Sequence, residues 1–129
     1  MKTIVDTSIW IEYLKNHTAI VETVDHGLLS NDIYIVGPVV TELLQGAKTE
    51  QDFQNLNNNL DGIPLIEAAL PDWKLAGQIS FKLKKRGITV PVTACLIAAI
   101  AINNEAYLYT YDNHFKQIPD VKLRGIPGQ

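Results

Sequence analysis

Three carboxylates stand where a sequence of this kind can do chemistry: Asp6, Glu42 and Asp112. Asp6 ends the short apolar run Lys2-Thr3-Ile4-Val5, and Asp112 follows Ala106-Tyr107-Leu108-Tyr109-Thr110. Glu42 lies one turn into the helix expected after Ile33-Tyr34-Ile35-Val36. If those runs are parallel strands, all three acids fall at the carboxyl edge of one sheet, where open α/β sheets bind ligands. Two carboxylates about 5 Å apart repel by roughly 3 kcal/mol at an effective dielectric near 20. A divalent cation removes that cost. Oxygen donors of this type suit Mg²⁺ or Mn²⁺, which can acidify a water and offset charge on a phosphate. Taken singly, each acid has a plainer use: Asp6 as a helix cap, Glu42 as a solvated helix residue, Asp112 as a turn former with Asn113.

The elements that must position these acids alternate along the chain. Thr3-Ile4-Val5 is β-branched and apolar and reads as a buried strand. Ile9, Trp10, Tyr13 and Leu14 recur at helical spacing, as do Ile20, Val21, Val24, Leu28 and Leu29, with a stop near Ser30-Asn31. Ile33–Val36 is the second strand, and Pro38 opens a helix that ends near Gly46. Thr49 to Leu60 is a polar helix with one thin apolar face, and Ile63-Pro64-Leu65-Ile66 is a short strand whose proline suits an edge or a start. Pro71-Asp72 opens a long helix that stops on Lys84-Lys85-Arg86-Gly87. Thr93 is placed to cap an almost wholly apolar helix from Ala94 to about Asn103. Ala106–Thr110 is the fourth strand and Val121–Ile126 a last one. This order predicts an α/β fold, a mostly parallel sheet with helices on both faces.

Composition agrees with one domain over residues 1–129. The chain is 47% hydrophobic and 19% charged, which excludes a disordered segment. No apolar run approaches membrane-spanning length. The acid at position 6 breaks any signal-peptide layout, and a lone cysteine, Cys95, excludes an internal disulfide framework; a reducing cytoplasm is the expected place. The net charge of −3 does not by itself suggest a nucleic-acid binder, but acids gathered in a nuclease site lower that sum.

Ile4-Val5-Asp6-Thr7-Ser8-Ile9-Trp10-Ile11 resembles the opening motif of PIN-domain nucleases, and of VapC toxins in particular. Val39-Val40-Thr41-Glu42-Leu43-Leu44-Gln45-Gly46 resembles their second motif, and Leu108-Tyr109-Thr110-Tyr111-Asp112-Asn113-His114-Phe115 their last. The segment from Val90 through Leu96, Ile97, Ala98 and Ala99 resembles the third. The resemblance implies a PIN-like three-layer α/β/α domain with a five-stranded sheet. It implies an endoribonuclease using Mg²⁺ or Mn²⁺ held by Asp6, Glu42 and Asp112, with RNA as substrate. It also implies a homodimer, and a VapB-type antitoxin through which the pair contacts DNA. No membrane role is implied.

The chain departs from that pattern at one position. Where the family carries an aspartate in its third motif, this chain has Ala94, whose methyl cannot bind a cation. The flanking residues keep the pattern, so we read a deliberate aspartate-to-alanine change that silences a toxin; a natural alanine is the alternative. Behind the acids, Thr7 and Ser8 can cap the first helix or orient a phosphate, and Thr110 and Asn113 can support Asp112 or simply shape its turn. Lys82, Lys84, Lys85 and Arg86 read as a solvated helix end before an RNA contact, and His114 as a surface residue. Competing functions are a non-catalytic antitoxin-binding partner that tunes repression, and a PIN nuclease of RNA processing. A phosphate-receiving signalling domain is excluded, because Asp6 lacks a neighbouring acid.

Overall fold

The computed structural model describes residues 1–127. The elements run β1 (Thr3–Val5), α1 (Thr7–Leu14), α2 (Thr18–Leu29), β2 (Ile33–Val36), α3 (Gly37–Gln45) and α4 (Glu50–Leu60). They continue with β3 (Leu65–Ile66), α5 (Leu70–Lys85), α6 (Val92–Asn103), β4 (Tyr107–Tyr109), a 3₁₀ turn (Asn113–Gln117) and β5 (Lys122–Leu123). All five strands are parallel, in the order β3-β2-β1-β4-β5. The three-layer α/β/α arrangement expected from the sequence is the one observed.

Strand order places the site. From β1 the chain steps outward to β2 and then β3, then crosses back over β1 to β4 and β5. Right-handed crossovers put α1–α4 on one face and α5 and α6 on the other. The direction of winding reverses between β1 and β4, which opens a crevice at the carboxyl ends of those two strands. β1 pairs with β4 in the register Thr3↔Tyr107, Ile4↔Leu108 and Val5↔Tyr109, so Asp6 and Thr110 leave the sheet side by side.

The core explains why this edge holds still. Ile4, Val5, Leu108 and Tyr109 are fully buried, and every residue of α6 from Ala94 to Ala101 is buried. The small side chains of α6 let it sit against α5 and the sheet together. On the other face, α2 rests so close to β2 that a Cβ at Gly27 would fall 2.6 Å from Ile33 Cγ1. Gly87, at φ +78°, ends the α5 segment as expected.

Three expectations need correction. α6 begins at Val92 after Pro91, so Thr93 is inside the first turn and does not cap it. β3 is confined to Leu65–Ile66; Pro64, which has no N–H to donate, contributes only its carbonyl, accepting the Ile35 N–H. β5 is two residues, Lys122–Leu123, at the outer edge of the sheet. Among the described residues, no helix is long and apolar enough to cross a membrane.

Candidate active site

Asp6 is the residue between β1 and α1, and its backbone joins both. Its N–H donates to the Tyr109 carbonyl at 3.0 Å, and its carbonyl accepts from Ile9 and Trp10 at 3.1 Å. The carboxylate is thereby fixed at the crevice and only 5% exposed. Thr110 Oγ1 donates to Asp6 Oδ2 at 2.7 Å, and Ser8 Oγ donates more distantly at 3.4 Å. The two hydroxyls lie 3.3 Å apart. The N–H of Asp112 donates to Thr110 Oγ1 at 2.9 Å, and that of Tyr111 to Ser8 Oγ at 3.0 Å. One hydroxyl network therefore ties both strand ends together.

Thr7 and Ser8 do not cap α1, whose N-cap has no side-chain hydrogen bond. Thr7 Oγ1 instead donates to Glu42 Oε1 at 3.1 Å, linking α1 to α3. Asp112 caps the 3₁₀ turn, its Oδ1 accepting the His114 N–H at 2.9 Å, and His114 Nδ1 lies 2.8 Å from the same oxygen. His114, expected on the surface, is half-exposed, yet it lines the acid cleft. Its place two residues after the aspartate that caps the turn is the signal for this in the sequence. Asn113 is not in the lining of the acid cleft and lines an adjoining hollow together with Asp112.

Asp6, Glu42 and Asp112 line a single cleft of about 330 Å³, with Thr7, Thr93 and Ala94 on its walls. Burial pushes the Asp6 carboxyl above its ordinary range. Hydrogen bonds from Thr110, the Thr7 amide and Ser8 pull it down, while the nearby Asp112 carboxylate raises it further. Among the described residues no three His, Cys, Asp or Glu side chains come close enough to hold one ion. The donors are nonetheless hard oxygens, and Mg²⁺ is commonly held by one or two carboxylates with waters and phosphate oxygens completing the shell. Asp6 and Asp112 fit that manner of binding.

Known proteins share both this sequence and this fold. The PIN domain model matches residues 3–121. The chain belongs to the PIN-domain family. It is 31% identical over 121 residues to ribonuclease VapC11 of Mycobacterium tuberculosis, covering 89% of this chain and 90% of that relative. A VapC ribonuclease of Mycobacterium bovis matches to the same extent. Rickettsia felis VapBC2, solved bound to a DNA fragment from its promoter, superposes with a TM-score of 0.85 at 25% identity, covering 96% of this PIN chain and 98% of that one. VapBC-1 of nontypeable Haemophilus influenzae gives 0.83 at 25% identity, covering 96% and 97%.

A second feature of this PIN domain is not evident from the sequence. Two adjoining hollows, of about 530 and 670 Å³, share Leu14, Leu43, Leu56 and Asn59 between α1, α3 and α4. The second also shares Ile11 and Glu42 with the acid cleft. Trp10 lines the first, and its buried Nε1 has no hydrogen-bond partner among the described residues.

Proposed function

We propose that the chain is the toxin of a VapBC-type pair, built as a hydrolytic endoribonuclease and disarmed at position 94. The observation that carries this reading is the meeting of Asp6, Glu42 and Asp112, from three separate elements, in one cleft at the switch point, with Ala94 in its wall. The VapC ribonucleases at 31% identity over nearly the whole chain support it. Asp6 and Asp112 would hold Mg²⁺ or Mn²⁺, with Glu42 completing the site through water. Such an ion, when bound, acidifies a water and screens phosphate charge. Thr110 and Ser8 fix the Asp6 carboxylate, and Thr7 does the same for Glu42. Water is the nucleophile, and the bond from phosphorus to the leaving ribose oxygen breaks.

The partner proposed for the apolar groove is a VapB-type antitoxin; two solved structures of similar fold are of VapBC pairs. An apolar segment fits the groove, and a partner acceptor would satisfy Trp10 Nε1. An arginine or lysine entering past Glu42 would offset the acids. DNA is contacted through the antitoxin. Exposed Leu70, Trp73 and Phe81 on α5 supply the apolar surface for a homodimer.

The test is RNA cleavage by this chain beside its Ala94→Asp variant, with and without Mg²⁺. The variant should cleave and arrest growth, and co-expressed antitoxin should relieve the arrest. Equal activity in both proteins would refute the assignment of position 94. Ala94 also favours a second reading, a non-catalytic partner that titrates antitoxin. An alanine codon in the natural gene would support that reading; an aspartate codon would exclude it.

A further inference from the structure

Among the described residues, no lysine or arginine lines the acid cleft. A polyanion drawn to it needs cations elsewhere, and phosphate contacts supply most of the affinity for nucleic acid. Cations line hollows at three places among the described residues. Lys82 and Arg86 line one with Ile102 and Pro119, at the opposite end of α6 from Thr93 and Ala94. Lys15 and Lys48 face the apolar groove beside Asp52. The third hollow, about 220 Å³, shares Asp112 with the acid cleft and is lined by Tyr111, Asn113, Lys116 and Arg124.

The third is the one built to continue the site. Among the described residues Asp112 is the one acid in its lining, which also has two cations. Arg124 is held in place from several sides. Its backbone N–H donates to the Leu108 carbonyl at 2.9 Å, its guanidinium lies 5.5 Å from the Tyr109 ring, and Nη1 donates to Thr3 Oγ1 at 3.5 Å. Lys116 is exposed on the 3₁₀ turn that Asp112 caps by accepting the His114 N–H. Tyr111, half-buried just past the end of β4, lines the same hollow.

We propose that single-stranded RNA passes over Asp112 and seats a phosphate between Lys116 and Arg124, with a neighbouring base against Tyr111. The proposal rests on the ribonuclease reading and names where the strand lies beyond the scissile bond. Base–aromatic stacking tolerates any sequence, so this subsite would add affinity without choosing the target.

The chain as it stands, with alanine at 94, can be titrated with a fluorescein-labelled eight-nucleotide oligouridine in EDTA, so that binding is read without cleavage. Lys116→Ala combined with Arg124→Ala should lower the slope of log affinity against log salt by about 0.7, the one phosphate they share no longer being neutralised. Lys116→Ala alone, at an exposed position, should lower it by about half as much, which covers a failure of the double variant to fold. Tyr111→Ala should weaken binding at least about fivefold, and Tyr111→Phe should retain it. Lys82→Ala with Arg86→Ala should leave the slope unchanged. An unchanged slope in the Lys116 and Arg124 variants, with the parent binding normally, overturns this subsite alone. A parent that binds no RNA at low salt overturns the ribonuclease reading itself.

Discussion

Two aspartates, Asp6 and Asp72, are buried to the same 5% exposure and do opposite work. At the junction of α5 and α6, Asp72 spends both oxygens on strong donors. Oδ2 accepts the Ala69 N–H and Oδ1 accepts Asn103 Nδ2, each at 2.8 Å. That carboxylate is closed, caps α5 and ties it to the end of α6. At the switch point, the side-chain hydrogen bonds to Asp6 both fall on Oδ2, and both come from neutral hydroxyls. A second carboxylate, Asp112, stands close enough to raise its pKa. Burial alone therefore does not single out a candidate acid; a buried acid left open beside another acid is the better candidate.

The largest effect should come from filling the gap on the open side. Ala94→Asp is expected to raise Mg²⁺-dependent RNA cleavage by about 100-fold or more, because placement of reacting groups alone carries factors of that size. A fluorogenic RNA assay reads it. On the closed side, Asp72→Ala should cost about 2 kcal/mol of stability by urea denaturation, since the Ala69 N–H and the Asn103 amide both lose their acceptor. Similar stability losses at Asp6 and Asp72 would erase the distinction.

Asp6→Asn should do the reverse of Asp72→Ala and raise the melting temperature slightly at pH 7. The sign follows from burial, which lifts the folded pKa above the ordinary 3.8. The unfolded chain gives up this proton first, so ionisation costs stability as pH rises through the folded value, and the cost is absent in acid. The gain from asparagine should therefore vanish below about pH 4. Smallest of all is the change at Tyr13, whose hydroxyl donates to Asp25 Oδ1 at 2.6 Å and whose pKa is pushed up to about 12. The contribution of this bond is complete below pH 10 and is lost as pH rises through about 12. Tyr13→Phe should flatten the stability profile in that window and leave cleavage unaltered.

The strands and helices were legible because each carries its own period and punctuation. Ile33–Val36 is β-branched and closed by Gly37-Pro38, and Lys84-Lys85-Arg86-Gly87 is both a cationic end and a left-handed stop. The three acids were legible because strand ends are fixed by pattern. The directions of hydroxyls were not. Thr7 and Ser8 read locally as caps, yet α1 starts so tightly on Asp6 that they turn to Glu42, Thr110 and Tyr111, residues from 35 to 103 positions away. The groove was invisible for the same reason. Leu14, Leu43 and Leu56 look like core positions in their own helices, and only the docking of α1, α3 and α4 leaves a space between them.

The central place of β1 has a consequence for synthesis. The ribosome makes this strand first, but its neighbour β4 only after residue 107. The residues that line the two apolar hollows all fall between Trp10 and Pro64, whereas the acid cleft needs Pro91, Asp112 and Phe115. A growing chain therefore contains every residue of the proposed partner groove before the last residues of the acid cleft are made. Under the proposed function, an antitoxin already present can meet the nascent chain of a parent with aspartate at position 94 before that parent is able to cleave RNA.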